Sequence, residues 1–160
     1  IRDGKTPNLD KPLQLGSEVN LHLPALIPDD YLADVHTRLV MYKRIASSKN
    51  ATDLKELQIE MIDRFGLLPE PTKNLFRITT LKHSADALNI TKIDAGVGNG
   101  KFDFGEEPKI DPMTLVNLVQ KQPTRYKLQG ASQLKFILPM PGPEERFNAV
   151  EGLLEKLAQG

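Results

Sequence analysis

Cysteine is absent from the 160 residues, which removes disulfide cross-links, thiolate nucleophiles and thiolate-bound zinc together and fits a reducing, cytoplasmic setting. Net charge is absent too: Lys and Arg total 21, and Asp and Glu total 21. With no field of one sign, nothing draws the whole chain onto nucleic acid or an anionic membrane, so any such contact must come from a local patch. No apolar run approaches the roughly 20 residues of a membrane-spanning helix, and no signal-peptide pattern opens the chain. The only histidines, His22, His36 and His83, lie in separate segments, and no pair has the i, i+4 spacing that aims two rings at one metal. His22 falls on the polar face of a strand; His36 and His83 flank helix stripes, where a partly buried, hydrogen-bonded ring is the common outcome. No Gly-x-Ser-x-Gly turn presents a nucleophile. Neither a catalytic site nor a metal or other cofactor is expected.

What is present organises into one domain's worth of elements. A chain of this length buries roughly 68–70% of its unfolded surface around a single core. Residues 1–17 hold Gly4, Pro7, Asn8, Pro12 and Gly16 among charges and read as a linker, while residues 18–160 read as the domain. The opening Ile1-Arg2-Asp3-Gly4-Lys5 is expected to continue a longer polypeptide. Glu18 to Leu23 alternates, with Val19, Leu21 and Leu23 on one face, and predicts a strand ending at Pro24. Pro24 and Pro28 bar a regular helix and make a stiff apolar corner.

Beyond the corner, Asp29 or Asp30 is positioned to cap a helix with the stripe Leu32, Val35, Leu39, Tyr42 and Ile45. A second helix starts near Thr52 or Asp53, with Asp53 and Glu56 spaced as a capping box. Its stripe is Leu54, Leu57, Met61 and Phe65, and Gly66 stops it. A third carries Leu75, Ile78, Leu81, Ala85 and Leu88 to a stop at Asn89. From Ile90 the period becomes two: residues 90–95 and 101–104 flank Gly96-Val97-Gly98-Asn99-Gly100, a turn with several positions open to positive φ. Asp111-Pro112 opens a short helix halted at Gln122-Pro123. Residues 125–128 and 133–138 form a second hairpin around Gln129-Gly130. Pro139 to Pro143 reads as rigid and exposed, and a last helix places Phe147, Val150, Leu154 and Leu157 inward. The order predicts an α+β fold: a single small domain of two β-hairpins and an N-terminal strand packed with about five helices.

Two surface groups invite a functional reading. Lys43, Arg44 and Lys49, with Arg125 and Lys127, offer a basic patch beside which Tyr126 or Phe102 would stack a base, the pattern of a nucleic-acid-binding module. Against it, once Arg2, Lys5, Lys11, Asp3 and Asp10 are set aside, 18 basic side chains face 19 acidic ones. The glycine-rich Gly96 to Lys101 lacks the spacing and following Ser or Thr of a phosphate loop, and a hairpin turn accounts for it better. On the second helix Glu60 and Asp63 project from one side, with Arg64 one turn beyond Glu60. Spacing alone reads this as a solvated face with a pair worth about 0.3–0.5 kcal/mol.

The stretches Leu23-Pro24-Ala25-Leu26-Ile27-Pro28-Asp29-Asp30-Tyr31-Leu32, Arg38-Leu39, Tyr42-Lys43-Arg44-Ile45-Ala46, Asp63-Arg64, Phe65-Gly66-Leu67-Leu68-Pro69, Gln120-Lys121-Gln122-Pro123 and Leu134-Lys135-Phe136-Ile137 together resemble the C-terminal domain of bacterial transcription-repair coupling factors, the Mfd family. The resemblance runs from Glu18 onward and is weakest over residues 96–107 and 139–145; residues 1–17 resemble the tail of the preceding translocase module. It implies a regulatory domain of an ATP-dependent DNA translocase, without the ATPase motifs. Such a domain packs on the UvrB-like N-terminal module of the same protein and masks the surface that binds UvrA. RNA polymerase and DNA are reached only through the parent protein. The resemblance places the interdomain contact on Glu60, Asp63 and Arg64.

Overall fold

The computed structural model describes residues 16–130 and 132–159; up to residue 15, the expected linker lies outside them. The described residues form five helices and one five-stranded mixed sheet, an α+β fold. They pack as two units, residues 24–83 and residues 16–23 with 84–159.

The first unit holds α1 (Val35–Ala46), α2 (Ala51–Phe65) and most of α3 (Glu70–Ala87). Its core gathers Ile27, Leu32, Met41, Ile45, Leu54, Leu57, Met61, Leu68 and Phe76. The proline corner is scaffold, as its stiffness implies. The Leu26 N–H donates to the Pro71 carbonyl (3.0 Å), the Leu26 carbonyl accepts from the Thr72 hydroxyl (3.0 Å), and the Pro24 carbonyl accepts from the Asn74 amide (2.9 Å). The Tyr42 hydroxyl accepts from the Ile27 N–H at 2.7 Å. These bonds satisfy backbone groups that two prolines keep out of any helix or ladder.

Helix α1 starts later than expected. Pro28 to Tyr31 closes a turn of its own, with the Tyr31 and Leu32 N–H groups donating to the Pro28 carbonyl, and the cap is Asp34, whose carboxylate accepts from the Thr37 N–H. The buried stripe also differs from the one read: Met41 and Ile45 are buried, whereas Val35 and Leu39 are 59% and 55% exposed. Helix α2 is capped by Asn50, which accepts from the Asp53 N–H, while Asp53 accepts from the Lys49 N–H. The capping residues therefore sit three positions before the expected Asp53–Glu56 pair. The stripe Leu54, Leu57, Met61 is buried as read, and Gly66 at φ +98° ends the helix.

The second unit holds β1 (Glu18–Asn20), the last turn of α3, β2 (Ile90–Ala95), β3 (Asn99–Phe104), α4 (Pro112–Lys121), β4 (Tyr126–Gln129), β5 (Gln133–Ile137) and α5 (Pro143–Gln159). The sheet order is β1-β2-β3-β5-β4; β1 runs parallel to β2 and the other pairs are antiparallel. Both hairpins form where the period of two predicts them. One sheet face, with Ile93, Phe102, Leu134 and Phe136, is buried together with Phe147, Val150, Leu153, Leu154 and Leu157 of α5. Ser17 fixes the start of β1: its N–H donates to the Asp86 carboxylate (2.7 Å), and its hydroxyl sits between that carboxylate and the Ile90 carbonyl.

Three details here differ from the sequence reading. Strand β1 stops at Asn20, because the Asn20 side chain accepts from the His22 N–H (2.9 Å) and His22 takes φ +56°. That turn breaks the alternation three residues before Pro24. None of Gly96, Gly98 and Gly100 has positive φ; Gly100 is needed for space, since a Cβ there would lie 2.4 Å from the Phe136 ring and 2.8 Å from the Asp94 carbonyl. Finally, Pro139 to Pro143 is anchored: Met140 is fully buried, and its N–H donates to the Val97 carbonyl at 2.6 Å.

Candidate functional site

Four residues, 47–50, join α1 to α2, too few for anything but a helical hairpin. A cation in the last turn of α1 therefore comes within reach of a carboxylate on α2. Arg44 is that cation. Its guanidinium grips Glu60 with two parallel bonds, Nη1 to Oε2 at 2.7 Å and Nη2 to Oε1 at 2.8 Å, and Arg64 adds a third to Oε2 at 3.0 Å. The fork from Arg44, reinforced by Arg64, holds Glu60 down from 4.5 to about 2 and raises Arg44 in turn. Arg64 also lies over the Phe65 ring, 4.8 Å from its centroid.

The three residues singled out by resemblance thus divide. Glu60 and Arg64 belong to one intramolecular network, centred on Glu60, whose third member is Arg44, a residue that the sequence reading places in the basic patch. Asp63 stands apart: it is exposed, and among the described residues no cation pairs with it. Besides Glu60, the aliphatic Ile59 lies one turn before it and Ile62 just before it in sequence, both open to solvent at 53% and 39% exposure. Beside Glu60 a shallow depression of ≈ 370 Å³ is bounded by Arg44, Asp53, Glu56 and Leu57 among others, so carboxylates outnumber cations on its rim. A helix that buries one stripe and shows aliphatic side chains and an unpaired carboxylate on the other has a surface fit for protein contact.

Three members of the basic patch are not available as read. Arg44 is committed to Glu60, and the two aromatic side chains are unavailable for stacking: Phe102 is fully buried and Tyr126 is buried at 6% exposure. Lys43 and Lys49 belong to the first unit, Arg125 and Lys127 to the second. Of the histidines, His36 is exposed rather than partly buried, His83 bonds the Ser48 carbonyl through Nε2 (3.0 Å), and His22 Nε2 meets Asp94 Oδ1 at 2.9 Å.

Sequence reasoning missed Arg146. It is 7% exposed, and its guanidinium donates to the carbonyls of Met140 (3.0 Å), Leu21, His22 and Pro141 (3.1 Å each). One side chain so gathers the carbonyls of the β1 exit and the proline-rich segment. A cation one residue before Phe147, the first of the inward apolar positions of α5, was a faint signal at most.

These elements define a small α+β domain with a mixed sheet and a charged, partly aliphatic helix face. A family model for the TRCF domain matches residues 21–115. The transcription-repair-coupling factor of Haemophilus influenzae is 40% identical over 158 residues, covering 99% of this chain. That of Escherichia coli is 39% identical over 159 residues, again covering 99%. The chain belongs to the TRCF domain family. It spans 14% of the length of either relative. A crystal structure of the C-terminal domain of a transcription-repair coupling factor superposes with a TM-score of 0.73 at 22% identity, covering 90% of this chain and 95% of that one, and shares its fold. Among the described residues no helix is long and apolar enough to cross a membrane.

Proposed function

We propose that this chain is the non-catalytic, autoinhibitory C-terminal domain of a transcription-repair coupling DNA translocase. It docks on the UvrB-like N-terminal module of its own protein and masks the UvrA-binding surface until RNA polymerase and DNA are engaged. The observation that carries this reading is the outer face of α2: Asp63, unpaired among the described residues, together with exposed Ile59 and Ile62 and the acidic depression beside Glu60, is complementary to a partner surface bearing arginine among apolar residues. The Arg44–Glu60–Arg64 network presents that face as a pre-ordered surface, so little side-chain freedom is lost on docking. No cofactor and no chemistry of its own is assigned to the domain, and the protein that carries it is read as cytoplasmic.

The test uses a full-length relative from which this domain has been removed. Supplied in trans, the 160-residue chain should suppress UvrA binding by the truncated protein, and Asp63→Ala should weaken that suppression while leaving the melting temperature unchanged. Undiminished UvrA binding in the presence of saturating chain would refute the docking. Equal suppression by Asp63→Ala would remove α2 from the interface. The rival reading, a nucleic-acid module built on Lys43, Arg44 and Arg125, draws no support from a committed Arg44 and buried aromatics.

A further inference from the structure

A second surface lies on the open face of the sheet. The register sets Lys101 of β3 directly opposite Lys135 of β5, and Lys135 directly opposite Lys127 of β4. Three ammonium groups therefore stand in one row across three neighbouring strands, about 10 Å from end to end. Arg125, just before β4, joins them along a shallow depression of ≈ 440 Å³ whose lining includes Asp94 and Ile137. Among the described residues none of the four cations has a carboxylate within ion-pair distance. Like charges placed directly opposite in a sheet are destabilising, so Lys135, flanked by a lysine on either side, weakens the free domain, and the row gains when an anion neutralises it.

The same face narrows the kind of anion. Phe102, Tyr126 and Phe136 are all buried, which leaves no platform on which bases could stack. On the β2 side the row ends at Asp94, which pairs with Lys101 in register, and Asp103 lies one row away opposite Gln133. A long polyanion crossing the patch would run onto these carboxylates. A short acidic stretch would not. Ile137, 57% exposed at the edge of the depression, offers contact to an aliphatic neighbour of the acidic residues. We infer that the β3–β5–β4 face docks a short acidic segment of a protein partner, with two or three carboxylates over Lys101, Lys135 and Lys127 and an aliphatic side chain against Ile137. This surface is in the second unit and is independent of the reading of α2.

The probe is a fluorescein-labelled peptide of sequence GDELDEG, titrated into the 160-residue chain at about 50 mM salt, where exposed charges are only partly screened. Anisotropy should rise and saturate, and amide shifts should concentrate on β3, β5 and β4. The double variant Lys101→Gln, Lys135→Gln should bind roughly tenfold more weakly or worse with an unchanged circular dichroism spectrum. Lys135→Gln alone should raise the melting temperature, because it removes the charge in the middle of the row. Absence of saturable binding, or equal binding by the double variant, would overturn the proposal. So would tighter binding of a DNA duplex than of the peptide at the same salt, which would make the face a nucleic-acid surface.

Discussion

Glu60 shows how far a neighbour can change what a residue is for. In isolation it is one carboxylate of an exposed pair; in the fold it accepts three hydrogen bonds from two arginines. Because its folded value near 2 lies below the ordinary 4.5, its contribution is fully present above about pH 4.5 and is lost as pH falls through the folded value. Glu60→Gln should therefore destabilise the domain by about 0.5–1 kcal/mol at pH 7, the range of a partly exposed network. In urea melts the gap from wild type should stay constant down to about pH 4.5 and close below it. Gly100 makes the opposite point, for a residue defined by what it lacks. A methyl group there meets the Phe136 ring and a backbone carbonyl, so Gly100→Ala should cost about 1–3 kcal/mol by overpacking, read as a lower urea midpoint at constant slope.

At the scale of elements, Arg146 acts as a rivet of the second unit. It holds the carbonyls at the end of β1, where His22 is in the left-handed region, against those of Met140 and Pro141. Arg146→Met keeps the aliphatic volume but strands buried carbonyls, and a loss of about 3 kcal/mol is expected. Arg146→Lys should recover only part of it, since one ammonium cannot reach four carbonyls as a planar fork does. Urea denaturation of both variants checks the order. The long-range reach of this residue is why it was not legible beforehand: Leu21 is 125 positions away. Helices α2 and α3 and both hairpins were legible because their burial has one period sustained over several turns or strand pairs. Helix α1 was legible as a helix but not in its start, because an extra turn at Pro28 to Tyr31 moved the cap from Asp29 or Asp30 to Asp34, nor in its buried side, because Val35, Leu39, Val40, Met41 and Ile45 offer more than one apolar stripe and only packing chooses between them.

For the whole molecule, the proposed role asks little energy of the docking face. Keeping a two-state clamp 99% closed takes about 2.7 kcal/mol, and one desolvated charge pair at an interface couples by ~1.5 kcal/mol or more. If Asp63 supplies one such pair, Asp63→Ala in the full-length protein should raise the open fraction from roughly 1% to roughly 10%. A distance-sensitive fluorescence pair between this domain and the N-terminal module would read the change. A latch of this size remains open to release by any partner that favours the open state by a few kcal/mol.

By itself the sequence determined the class of fold, the stiff corner at Pro24 to Pro28, most element identities, and membership of a family through residues spread along the chain. Those properties are local or periodic, set by proline geometry, glycine and asparagine stops, and the spacing of apolar side chains. Only the tertiary structure decided which charges are taken and which are left over. Arg44 reaches Glu60 because a four-residue loop folds one helix back on the next; Asp63, three positions along, has no partner among the described residues. Lys101, Lys135 and Lys127 form a row because strand register, set by pairing across the sheet, places them opposite one another. Electrostatic partnership depends on distances of a few ångströms between residues far apart in sequence, and periodicity carries no record of those distances.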